Sequence, residues 1–146
     1  MSPDLLALMH LASTWALVGI IWIIQLVHYP MFDQVDAGLF KAFHERHTWG
    51  LGIVAGPLMC LELVSAVAFV TPMIRSEVYD GWFIASLITL VGVWLSTFLI
   101  QVPLHNRLAR GFDTEAHQKL VRSNRWRATA WTVRGVLVLV AFSSGS

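Results

Sequence analysis

Residues 82–102 read WFIASLITLVGVWLSTFLIQV, a stretch without Asp, Glu, Lys or Arg that ends at Pro103. A helix rises about 1.5 Å per residue, so such a run matches the roughly 30 Å hydrocarbon core of a bilayer. Three further runs of that kind flank it. One covers about Leu5 to Val27 and ends at His28-Tyr29-Pro30, where proline disfavours helix at the preceding residue. Another covers about Trp49 to Val70 and stops before Pro72, and the last covers about Trp126 to Phe142. The expected fold is all-α: one transmembrane four-helix bundle spanning residues 1–146 as a single domain. The short connection between the second and third runs predicts that these two helices are antiparallel neighbours.

Composition agrees with this class. Charged residues make up 13% of the chain, against roughly a quarter in soluble domains. The near-neutral charge balance excludes a nucleic-acid partner, which calls for a dense basic face. The lone Cys60 lies within an apolar run, which leaves no disulfide framework and no cysteine-rich metal site. The start, Met-Ser-Pro-Asp, lacks a basic region, and the apolar run after it is too long for a signal core. The final Ser-Ser-Gly-Ser reads as a flexible tail.

Charge placement sets an orientation. Lys41 and Arg46 follow the first span, and Arg107, Arg110, Lys119, Arg122 and Arg125 follow the third. The connection between spans two and three has only Arg75, and neither terminus has a Lys or Arg. By the positive-inside rule the two basic segments face the cytoplasm, which puts both termini outside, as in a bacterial inner-membrane protein. Between the first two spans, Phe32, Val35, Leu39 and Phe43 recur at three- and four-residue spacing opposite Asp33, Gln34 and Lys41. That pattern predicts an interfacial amphipathic segment over Met31 to His47, running on into the second span. There Gly52 and Gly56 form a small-xxx-small pair that favours close helix contact, and Pro57 is a candidate kink.

The polar residues inside this apolar frame carry the candidate chemistry. His44-Glu45-Arg46-His47 has its histidines three apart, one short of the zinc-protease signature, so that mechanism is excluded. On unbroken α geometry His10, Thr14, Gln25 and His28 share one stripe, as do His44 and Glu62. Thr97, Gln101 and His105 follow at four-residue steps, and Asn124, Arg127, Trp131 and Arg134 at three, four and three. Gln25, His28, His44, His47, Gln101, His105, Asn124 and Arg127 then fall at one level, near the cytoplasmic ends of the spans. Each histidine alone also reads as an interfacial anchor. As a set, His28, His44, His47 and His105 are candidate ligands of a transition metal (copper, iron or zinc) or a haem b. Gln25 and Gln101 would orient these ligands or bind substrate. Asn124 and Arg127 are the candidate catalytic pair, with Arg127 holding an anionic or quinone-like molecule or a propionate. Glu62 and Arg134 read as a buried ion pair fixing helix register. His10 reads as interfacial or as the ligand of a second cofactor, His117 as a basic-loop residue away from these stripes, and the tryptophans mainly as belt and packing residues.

The stretch Gly19-Ile-Ile-Trp22-Ile-Ile-Gln25-Leu-Val-His28-Tyr-Pro30 resembles the first helix of the DUF1772, or anthrone-oxygenase-like, small four-helix membrane proteins. So do Gln101-Val-Pro103-Leu-His105-Asn106-Arg107-Leu108 and the later Asn124, Arg127, Trp131 and Arg134. This resemblance covers most of the chain as an order of features, and some members are linked to oxidation of polycyclic aromatic intermediates. A second resemblance, carried by His10, Trp15 and Gly19, is to the small haem-binding membrane protoporphyrinogen oxidases. Both imply a small membrane redox protein.

The sequence therefore predicts a membrane oxidoreductase or oxygenase, with a metal or haem at the cytoplasmic level of the bundle. Its substrate would be a hydrophobic aromatic or isoprenoid molecule entering from the lipid bilayer. Two alternatives stay open, a non-catalytic cofactor- or pigment-binding subunit of a larger membrane complex and a small proton-coupled transporter using Glu62, Arg134 and His10. A homo-oligomer is equally compatible with the sequence.

Overall fold

The computed structural model describes residues 3–76 and 80–144, with the side chains of residues 4–71 and 80–143. The side chain of Arg75, counted above in the orientation argument, lies outside the described residues, as do Gly145 and Ser146 of the tail.

The chain is all-helical. Helix α1 (Pro3–Ile23) passes into a π turn (Ile24–His28) and a 3-10 turn (Tyr29–Gln34). Helix α2 (Ala37–Ser76) is one rod that carries Pro57 and Pro72 within it. Helix α3 (Gly81–Ser96) passes through a second π turn (Thr97–Gln101) into α4 (Val102–Leu108). Helix α5 (Thr114–Ser144) closes the chain. Three stretches are long and apolar enough to cross a membrane, Asp4–Gln34, Ala37–Thr71 and Gly81–Leu108.

Side-chain chemistry explains where these helices begin. Asp36 accepts from the Gly38 N–H at 2.8 Å and Asp80 from the Phe83 N–H at 2.6 Å, so each satisfies one of the free amides of a first turn. Asp113 does the same for α5, accepting from Ala116 N–H at 2.9 Å. That amide, helped by the Arg107 guanidinium, holds the Asp113 carboxyl below its usual range. A carboxylate with a depressed folded pKa stabilises above the ordinary Asp range and loses that contribution as pH falls through the lowered value. Gly111, at φ 148°, makes the turn that ends α4, its N–H donating to Leu108 O at 3.0 Å; a side chain is strained at that φ.

Several expectations are corrected. The second helix does not stop before Pro72 but continues to Ser76. The basic residues read as loops sit on helices, Lys41 and Arg46 on α2 and Lys119, Arg122 and Arg125 on α5. The segment after the first span is not an amphipathic helix over residues 31–47. Its first part is the 3-10 turn, and α2 begins at Ala37. Phe32 and Phe40 are fully buried whereas Leu39 is 66% exposed, because the break at Val35 and Asp36 resets the helical phase.

Helix α5 packs between α1 and α3, and α1 also packs on α2. The shared core is built from Leu17, Ile21, Ile24, Val93, Ala128 and Trp131. Helix α2, expected beside α3, instead meets the α3–α4 stretch towards its two ends. Phe69 and Phe83 touch near one end with ring centroids 5.8 Å apart, and at the other His44 bonds to His105 of α4. Between these contacts lies a cavity of about 400 Å³. Gly52 and Gly56 face it. A Cβ added at either would meet nothing within 4 Å, so the pair opens space instead of drawing helices together. The close approach belongs to Gly135, where an added Cβ would lie 3.3 Å from Trp15 Cε2.

This predicts opposite outcomes for two glycine substitutions. Gly135→Val should overpack the α1–α5 contact and destabilise by roughly 1–3 kcal/mol. Gly52→Val, facing open space, should leave the thermal midpoint of the detergent-solubilised protein unchanged or raised. Equal losses at both positions would contradict the packing described.

Candidate functional site

The cavity, which α2 shares with the second π turn and α4, is apolar along most of its length, with Leu17, Ile20, Ile21, Leu51, Met59 and Trp131 among its walls. Its polar side is built by Tyr29, His44, Gln101, His105 and Arg127, together with Thr48 and Asn106. Four helical stretches thus deliver polar groups to one place.

Three of these groups form a chain. The Tyr29 hydroxyl lies 3.0 Å from His105 Nε2, and His105 Nδ1 lies 3.0 Å from His44 Nε2. Each bond can run in either direction, depending on where the imidazole protons sit. If Tyr29 donates, the order continues through His105 to His44 and leaves a proton on His44 Nδ1. If the order is reversed, His44 Nδ1 carries the lone pair. In both cases His44 Nδ1 is the free end, buried and without a partner.

A second chain lies beside it. Asn124 Nδ2 donates to Gln25 Oε1 at 3.0 Å, and Arg127 Nη1 donates to Asn124 Oδ1 at 3.3 Å. Gln25 and Asn124 are buried at 5% and 0% exposure, so these two amides hold the guanidinium from behind. Gln101 Nε2 donates to Ser123 Oγ at 3.0 Å.

The four histidines are placed unequally. His44 and His105 are bonded to each other, and the His47 ring lies 6.1 Å from that of His105. His28 is exposed, with its ring 5.4 Å from His47. The stripe drawn from His10 to His28 assumed unbroken α geometry. The π turn at Ile24–His28 adds a residue to that turn, so Gln25 stays inside while His28 rotates outward. Among the described residues, no group of three His, Cys, Asp or Glu side chains is arranged to hold a metal ion. His105 has both ring nitrogens engaged by protein groups. His44 Nδ1 and His47 Nε2 are the buried imidazole nitrogens left without a partner.

Two residues gain roles the sequence did not suggest. Tyr29 is 1% exposed, and its carbonyl accepts from His117 Nε2 at 2.8 Å while its hydroxyl reaches His105. Its place beside Pro30, at the end of an apolar run, was the available signal. His117 is not a loop residue. It is a buried member of α5, stacked on Phe32 with centroids 5.9 Å apart, and fixes the 3-10 turn against α5.

Nearer the chain termini lies a separate buried network. Arg134 Nε donates to Glu62 Oε1, Nη1 donates to Ser86 O at 2.6 Å, and Nη2 lies 3.3 Å from His10 Nε2. Thr14 Oγ1 also donates to Glu62 Oε1, at 3.2 Å. His10 Nδ1 lies 2.7 Å from Ser65 Oγ. That hydroxyl donates to the carbonyls of Leu61 and Glu62, so it accepts from His10, whose Nε2 then accepts from Arg134. His10 is therefore neither an interfacial anchor nor an open ligand. It is 0% exposed and caged by Phe69, Phe83 and Phe142.

No family model, curated protein or solved structure matches the chain.

Both ends of the Glu62–Arg134 pair are fully buried. Changing either residue alone to leucine should strand the other charge and cost roughly 3–5 kcal/mol. The double variant Glu62→Leu with Arg134→Met should recover much of that loss in chemical unfolding, whereas additive losses would show that the two charges are uncoupled.

Proposed function

We propose that this chain is a four-helix integral membrane protein that admits a lipophilic aromatic or isoprenoid molecule from the bilayer into the cavity beside α2 and oxidises or reduces its polar end. The observation carrying this reading is the Tyr29–His105–His44 chain, whose last residue lines a largely apolar cavity of about 400 Å³. Such a volume lies within the range of small-molecule sites.

The outward surface supports the membrane reading, including the fourth span. Trp49, Val64, Ile88 and Leu99 are exposed on α2, α3 and the second π turn. Trp126, Val133, Val136 and Leu139 are likewise exposed on α5, whose Arg127 and Arg134 point inward. An apolar surface on every rod, with cations turned to the interior, suits lipid on all sides.

The chemistry follows from the free end of the chain. With its proton on Nε2, directed at His105, His44 can take a proton at Nδ1 from a bound hydroxyl. In the reverse order His44 donates from Nδ1 to a bound carbonyl oxygen. Interconversion of a hydroxyl and a carbonyl also needs electrons, which a transition metal or haem would supply. His47 Nε2, a buried imidazole nitrogen without a partner, would hold that group, which leaves the Nδ1 lone pair of His44 free for the proton. His105 contributes by fixing the His44 ring, and His28, being exposed, contributes least. This class of chemistry is also the one implied by the resemblance to anthrone-oxygenase-like proteins.

Metal analysis and an absorption spectrum on protein purified in mild detergent test the redox reading. Bound metal or a haem band should be present and should be lost on His47→Ala, but retained on His28→Ala. Neither metal nor haem in the purified protein, or content indifferent to His47, would remove the redox step.

Orientation is tested separately. A reporter active only in the cytoplasm should work when inserted at Asp113 and stay silent when fused after residue 146. The opposite result would put the polar side of the cavity on the outer face.

A further inference from the structure

We infer that the molecule bound in the cavity beside α2 is a lipophilic anion that also carries a free hydroxyl, an inference that rests on the cavity being the ligand site. Its basis is a mismatch among the groups lining the polar side. Arg127 lines the cavity, yet among the described residues no carboxylate lies within ion-pair distance of it. Its Nη1 is turned back to Asn124, and its Nε is buried without a partner. The other inward-facing arginine, Arg134, has Glu62 as its counter-ion. A guanidinium withdrawn from water without an anion is costly, and a carboxylate presented to its free edge offsets that cost with charge-assisted hydrogen bonds.

Gln101 supplies the second half. Ser123 Oγ already donates to the carbonyls of Lys119 and Leu120. It can therefore only accept from Gln101, which fixes the amide with Nε2 toward Ser123. The other side of the amide is Oε1, an acceptor that is buried and unpartnered. A quinone offers only acceptors and would leave Oε1 unsatisfied, and a cation would be repelled by Arg127. A carboxylate or enolate with a hydroxyl set too far from the charged group to bond to it internally satisfies both residues. The apolar body then lies along Leu51 and Met59, where Gly52 and Gly56 leave the helix face bare.

The test uses three probes on full-length protein in mild detergent, followed by titration calorimetry. They are a hydroxynaphthoate with its two groups meta to each other, so that the hydroxyl cannot bond internally to the carboxylate, its methyl ester, and naphthoate lacking the hydroxyl. Wild-type protein should bind the hydroxy acid on the order of 10-fold or more tighter than the ester, the scale of one charge-assisted hydrogen bond. Arg127→Gln should abolish that preference and Arg127→Lys should retain part of it. Gln101→Leu should erase the advantage of the hydroxy acid over naphthoate while leaving the preference for acid over ester. Gly52→Trp, which fills the cavity, should weaken all three. Equal binding of acid and ester by wild-type protein, which requires no variant to fold, overturns the anion inference, as does a preference that survives Arg127→Gln. If the probes bind alike and are all lost on Gly52→Trp, the cavity stands and the anion falls. If none binds, or binding ignores Gly52→Trp, the cavity and the anion fall together.

Discussion

One guanidinium ties the four helical stretches together. Arg134 on α5 donates to a carboxylate of α2 and a backbone carbonyl of α3, and meets an imidazole of α1. In hydrocarbon, hydrogen-bonding groups without a partner cost several kcal/mol each. The register of each helix is therefore fixed by the need to deliver Glu62, Ser86 O and His10 to a single point. Apolar side chains alone fix register weakly, because their contacts are non-directional.

That clasp near the termini makes the cavity possible. A second set of polar contacts, from His44 to His105 and from Tyr29 to both His105 and His117, closes the opposite end. With α2 and the α3–α4 stretch secured at both ends, their middles need not touch, and the bare faces at Gly52 and Gly56 leave room there. The most polar part of the cavity thus adjoins the second set, and its most apolar part lies toward the clasp. A long molecule with one polar end can enter this arrangement in one direction only.

Much of this was legible in the sequence. Long apolar runs, broken by charge only at Glu62, Arg127 and Arg134, marked the helices. The faces carrying His44 with Glu62, and Asn124 with Arg127, Trp131 and Arg134, follow from 3.6-residue geometry, and both helices keep that geometry. The method failed where the backbone leaves it. His28 was grouped with Gln25 on one stripe by an α phase that the π turn changes, and Leu39 was grouped with Phe32 on one apolar face across a break at Asp36. Gly52 and Gly56 illustrate a different limit. Spacing shows that two small residues share a face but not whether a helix or a void lies opposite. His117 and Tyr29 were undervalued because their partners include backbone atoms of turns, which no side-chain pattern reveals.

The two π turns have a consequence of their own. Each contains one residue more than α geometry requires, and they occur at Gln25 and Gln101, in the two stretches that lead to Tyr29 and His105. A one-residue deletion inside a helix ordinarily turns everything beyond it by about 100°. Within either π turn the same deletion would instead restore regular α geometry, because the wide turn already absorbs the extra residue. The flanking turns would then keep their faces. These two turns are therefore the places where each helix can lose a residue without turning Tyr29 or His105 away from its partners.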